Sequence, residues 1–178
     1  MAETPEKSSK QDGNSDNQSG TGQGSQPEFV IQRMYVKDSS FEAVGAPSVF
    51  NMKWEPSVSI DLNNQSQPLT QDVYEVILSV TVTVKLGEKT AFVAEVKQAG
   101  IFTVKGFAEE PLKQVLGSFC PNILFPYIRE RISSLIEHGG FPALYLAPIN
   151  FDALYNENER LKSQQQQKGA SGGTDTLQ

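Results

Sequence analysis

The chain has 178 residues, with 15 lysines and arginines against 21 acids and a single histidine, for a net charge of −6. That length suits one domain with a real core, and an acidic chain without a clustered basic surface is a poor partner for a phosphate backbone, so nucleic acid is disfavoured as a ligand. One cysteine, Cys120, rules out an intramolecular disulfide and fits a reducing compartment.

In chain order, residues 1–28 are mostly Ser, Gly, Gln and Asn with scattered charge. Such a segment cannot bury enough apolar surface to offset the entropy of ordering, which predicts a disordered tail. The glutamine-rich residues 163–178 are expected to be disordered for the same reason, leaving a folded domain over 29–162 with 15 acids against 12 bases. The N-terminus lacks a basic-then-apolar signal pattern and no run approaches the length of a membrane span. The expectation is a cytoplasmic protein with no direct membrane insertion.

Residues 29–42, FVIQRMYVKDSSFE, alternate imperfectly and predict a first strand. The next stretch is broken by Gly45, Pro47 and Pro56, yet it carries Val49, Phe50, Met52 and Trp54. A loop of this length is often functional. Trp54 either plugs the core beneath it or lines a site for apolar ligands. Val58 to Leu62 predicts a second strand, ended by the turn formers NNQSQP.

The segment from Val73 to Val104 organises the rest. Its first arm puts Tyr74, Val76, Leu78, Val80, Val82 and Val84 on even positions, and its second arm keeps that parity with Phe92, Val96, Phe102 and Val104. Period-2 alternation over such lengths predicts two strands with one buried face, joined at Gly87 where positive φ is wanted. The odd face is mixed, because Ile77, Val93 and Ile101 sit beside Glu75, Thr81 and Glu95. That is either ordinary surface apolarity or a contact surface for a partner.

The period then changes to about 3.6. Glu109, Glu110 and Pro111 suit a helix start, and Leu112, Val115, Leu116 and Phe119 give its stripe, with Cys120-Pro121 as the stop. A second helix is expected from Pro126, with Ile128, Ile132, Leu135 and Ile136 on one face and Gly139-Gly140 ending it. NILFP between them and FPALYLAPI after them are expected to be unusually apolar loops. Asn150 is a plausible N-cap for a final helix carrying Phe151, Leu154, Tyr155 and Leu161. The sum is an α+β fold: a four-stranded antiparallel sheet with helices packed on one face.

Catalytic chemistry has little to work with. His138 stands at an expected helix C-terminus, where a cation suits the dipole, and Cys120 at the other end reads as buried and inert. Clusters with metal-ligand spacing are absent, as are EF-hand spacing and a glycine-rich phosphate loop, so no catalytic residue, metal or cofactor is expected. What remains is a binding protein. Phe50, Met52, Trp54, Phe125, Tyr127, Phe141, Leu144 and Tyr145 are concentrated in expected loops, and such surfaces take extended apolar peptide. The alternative is a carrier of a small apolar ligand with an enclosed cavity.

Five segments, FEAVGAPSVF, DVYEVILSVTVTVKLG, AEVKQAGIF, CPNILFPYIRE and PINFDALY, closely resemble the SecB family of bacterial protein-export chaperones. The resemblance implies a homotetramer, a dimer of dimers, that holds unfolded secretory precursor polypeptides in the cytosol and passes them to SecA, the translocase motor, hydrolysing nothing itself. It implies a client groove at Phe50, Met52, Trp54, Phe125, Tyr127, Phe141 and Leu144. SecA docking is implied at Asp38, Glu42, Val93 and Glu95, and Ala94, Val96 and Gln98 match positions whose substitution loosens tetramers into dimers. Val44 departs from the family, where a proline is common, and so does the neutral, glutamine-rich tail.

Overall fold

The computed structural model describes residues 26–170; most of the two expected tails lies outside them. Glu28–Glu42 (β1), Pro56–Thr70 (β2), Val73–Leu86 (β3) and Lys89–Lys105 (β4) form one antiparallel sheet. Its order is β1, β4, β3, β2, so the central hairpin is flanked by the other two strands.

The parity of the hairpin is borne out. Val76, Leu78, Val80, Val82 and Val84 are fully buried, as are Phe92, Val96 and Phe102 on β4. Leu86 pairs with Lys89 across a two-residue turn, with Gly87 at φ 58. Over this face lies a helical segment in three parts: Glu109–Gln114 (α1), a π turn at Val115–Phe119, and Cys120–His138 (α2). Leu124, Ile128, Ile132 and Ile136 form an unbroken i+4 stripe, all fully buried against the hairpin. Burial of such residues supplies the main stabilising term, about 1.5–3 kcal/mol for each large side chain.

Two expectations need correction. NILFP is helix, not loop: Cys120-Pro121 does not stop the helical segment but opens α2, and Pro126 lies inside it. An interior proline costs about 3 kcal/mol, but the buried Leu124 and Phe125 beside it offset a cost of that size. Nor does NNQSQP end a strand, since β2 pairs with β3 from Pro56 through to Thr70, and the turn falls at Gln71 and Asp72, with Asp72 at φ 60. An edge strand tolerates polar residues and even Pro68, because one side of its backbone needs no ladder partner.

The final helix, Phe151–Ala170 (α3), begins with the Asn150 side chain accepting from the Ala153 amide at 3.0 Å, as an N-cap should. It runs beyond residue 162. It is tied down at its first turns by Phe125 stacking edge-on against Phe151, by Ser118 donating to Asp152, and by Gly117, whose missing side chain leaves room for the Tyr155 ring.

Candidate binding surfaces

The first site is built by the end of α2. The Gly140 amide donates to the Glu137 carbonyl at 3.0 Å and the Phe141 amide to the Ile136 carbonyl at 3.2 Å, with Gly140 at φ 80. These two bonds and the left-handed residue make a Schellman turn, which a glycine closes without steric cost. The turn delivers Phe141 to the covered side of the sheet. There its ring centroid lies 4.7 Å from Phe92, 5.0 Å from Phe50, 6.0 Å from Trp54 and 6.1 Å from Phe41. Offset and tilted rings at these separations attract one another beyond the area they bury.

Around this hub is a pocket of about 180 Å³, lined by Val49, Phe50, Met52, Trp54, Gly140, Phe141 and Pro142. Phe141 is buried, whereas Phe50, Met52 and Trp54 are 51, 37 and 37% exposed. The floor is thus fixed and the rim is wet. Four of the seven expected groove residues meet here.

The other three do not line this pocket. Phe125 is buried under Phe151, and Tyr127 is exposed one residue beyond Pro126 on α2. Leu144 is half-buried, with its carbonyl taking a hydrogen bond from Ser133 at 2.9 Å. A longer groove of about 870 Å³ runs between β2, the π turn and α3, with Leu62, Asn64, Leu116, Tyr155 and Leu161 among its walls. Asn64 donates to the Leu116 carbonyl at 3.1 Å, while its own Oδ1 is buried with no partner among the described residues.

The second surface is the sheet face opposite the helices. Glu42 pairs with Val93, Ser40 with Glu95 and Asp38 with Lys97, which puts Asp38, Glu42, Val93 and Glu95 together at one end of it. Asp38 belongs there because β1 is bulged between Val36 and Asp38, with Lys37 as the extra residue. Without the bulge Asp38 would face the helices. Lys97 bridges Glu95 at 2.9 Å and Asp38 at 3.3 Å, and these partners, Glu95 first, raise its pKa.

Farther along the same face Glu75 is only 4% exposed. Lys37 donates to its Oε1 at 2.7 Å, Tyr35 to the same oxygen, and Gln67 to Oε2, which ties β1, β3 and β2 together. The Lys37 and Tyr35 donors hold the carboxyl below its usual range, and the bond to Glu75 pushes the Tyr35 hydroxyl up to about 12.

Ala94, Val96 and Gln98 are 0, 0 and 4% exposed within the single chain. They lie on the covered face, and none of them is presented at the surface of the single chain. Cys120 is fully buried, and burial pushes its thiol up to about 12. It and His138 stand at opposite ends of α2. Sequence patterning missed Phe41 and Phe92 as members of the aromatic cluster, since both read as ordinary strand residues. It also missed Lys97, whose importance lies in a cross-strand register that no local pattern displays.

The family model described as Preprotein translocase subunit SecB matches residues 22–164. A protein-export protein SecB of Methylococcus capsulatus is 56% identical over 144 residues, covering 80% of this chain and 93% of that one. Its counterpart in Nitrosococcus oceani is 50% identical over 163 residues, 90% and 96% of the two chains. Among solved structures, a SecB-like chaperone of Mycobacterium tuberculosis in complex with a ChAD peptide from the HigA1 antitoxin has the same fold. Its TM-score is 0.58 at 16% identity, over 68% of this chain and 90% of that one.

Proposed function

The chain belongs to the SecB family, and on that premise we propose that it is a protein-export chaperone that binds unfolded secretory precursors in the cytosol and delivers them to SecA without catalysis or nucleotide. The observation that carries the client-binding role is the Phe141 pocket, with a buried floor and an exposed rim of Phe50, Met52 and Trp54. At about 180 Å³ it is below the ~300–1,000 Å³ of small-molecule sites. It suits one or two apolar side chains rather than a lipid. The outer edge of β2, unpaired among the described residues, offers backbone groups beside the longer groove. Apolar side chains and free backbone are what any unfolded chain presents and a folded one hides, which accounts for low sequence selectivity.

The acidic end of the open face is the proposed SecA dock, through Asp38, Glu42, Val93 and Glu95, on the side of the sheet away from the pocket. A dimer of dimers is the proposed assembly. It is supported by apolar residues that the helices leave exposed on the covered side of both edge strands: Ile31 and Val36 on β1, Val58 and Ile60 on β2. Light scattering of a denatured secretory precursor diluted from urea tests the role: the intact protein should suppress aggregation, and unchanged aggregation at molar excess of it would contradict the proposal.

A further inference from the structure

The docking end of the open face is not simply acidic. Three rows of the sheet meet there: Glu42, Val93, Thr83 and Ser59; Ser40, Glu95, Thr81 and Asp61; Asp38, Lys97, Ser79 and Asn63. Four carboxylates therefore share the patch with one ammonium, which complements a basic partner segment. That ammonium is already engaged. Lys97 Nζ lies 2.9 Å from Glu95 Oε1 and 3.3 Å from Asp38 Oδ2, two of the three acids assigned to the dock.

A cation of the partner thus meets Glu95 or Asp38 only by sharing the carboxylate with Lys97 or displacing it. Displacement is feasible, because the three side chains are 39, 30 and 52% exposed and exposed ion pairs are weak in water. The bridge also depends on the Lys37 bulge, which turns Asp38 to this face.

We propose that Lys97 is an intramolecular competitor, and that it sets the affinity and salt dependence with which the face takes a basic segment of SecA. This rests on the open face being the SecA dock. Lys97 keeps the patch from binding any cation tightly, and the partner must supply enough contacts to take over both acids. Charges at the edge of an interface act chiefly on association rate and its response to salt.

The test is binding of the purified full-length chain to purified SecA across a series of KCl concentrations. Lys97→Gln should bind about three- to tenfold tighter at low salt and lose affinity more steeply as salt rises. Lys97→Arg, which keeps the bridge, should match the wild type. In an Asp38→Asn, Glu95→Gln background, read at low salt, the gain from Lys97→Gln should fall below about twofold, because the competed acids are gone. Suppression of precursor aggregation, which belongs to the other side of the sheet, serves as the folding control. If Lys97→Gln binds no tighter, or its gain persists undiminished in the neutralised background, the competitor role is overturned while a loss on Glu95→Lys still upholds the dock. If Glu95→Lys binds like the wild type, the dock itself falls and the role of Lys97 with it.

Discussion

The ring of Phe141 lies 6.0 Å from the indole of Trp54, and the two residues are held by different means. Phe141 is fixed by the turn that ends α2 and is 6% exposed, whereas Trp54 hangs from the loop before β2 and is 37% exposed. One is frame, the other contact surface. Trp54→Ala should therefore lower the urea midpoint far less than loss of Phe141 does, yet weaken precursor binding by about tenfold, in the range of an aromatic anchor at an interface. Phe141→Ala should instead cost about 3–5 kcal/mol of folding stability, as loss of a buried phenylalanine does. Urea titration beside light scattering separates the two outcomes.

Charge reversal at Glu95 tests the division of labour between the two faces. Glu95→Lys places a second cation beside Lys97 and should abolish SecA binding at moderate salt. Precursor binding should persist, because the pocket lies on the covered side. Calorimetric titration with each partner reads both, and joint loss would point to misfolding or a misplaced dock.

The Glu75 cluster should make stability depend on pH at both ends. Its Lys37 and Tyr35 donors lower the folded-state pKa of Glu75 below 4.5, so its contribution is complete above that value and is lost as pH falls through the lower folded one. Tyr35 runs the other way: with its folded value raised from 10.0 to about 12, it contributes below pH 10 and loses that contribution as pH rises toward 12. Glu75→Leu should lower stability by about 1–3 kcal/mol at neutral pH, by orphaning its donors, and should flatten both limbs. Urea unfolding from pH 3 to pH 11 measures this.

Assembly should respond to the covered face through α2. Ala94 has no exposed surface, so Ala94→Leu must overpack the layer between sheet and helix, typically at a cost of about 1–3 kcal/mol. A shifted α2 should convert tetramers to dimers in sedimentation velocity. A variant that stays tetrameric with wild-type stability would detach this position from assembly.

The layout of the hairpin and the stripe of α2 beyond Pro126 were plain in the sequence because a single period runs through each. β1 was legible as a strand but its two faces were not, and two bulges explain why: register shifts between Ile31 and Arg33 and between Val36 and Asp38 switch the phase twice. Phe29, Ile31, Met34, Val36, Ser39 and Phe41 thus share the covered face with no single period. Pro126 and NNQSQP misled for a related reason, since local breakers were outweighed by burial in α2 and by the edge position of β2. The groove residues divided because Phe125, counted as loop, belongs to a helix that buries it.

Trp54 is the only tryptophan in the chain, and it stands at the rim of the Phe141 pocket, so its emission reports occupancy there without a label. Titration with a secretory precursor held unfolded should give a saturable blue shift, while the same precursor after folding should give none. No response to the unfolded chain, or an equal response to the folded one, would contradict the assignment of this pocket to unfolded clients.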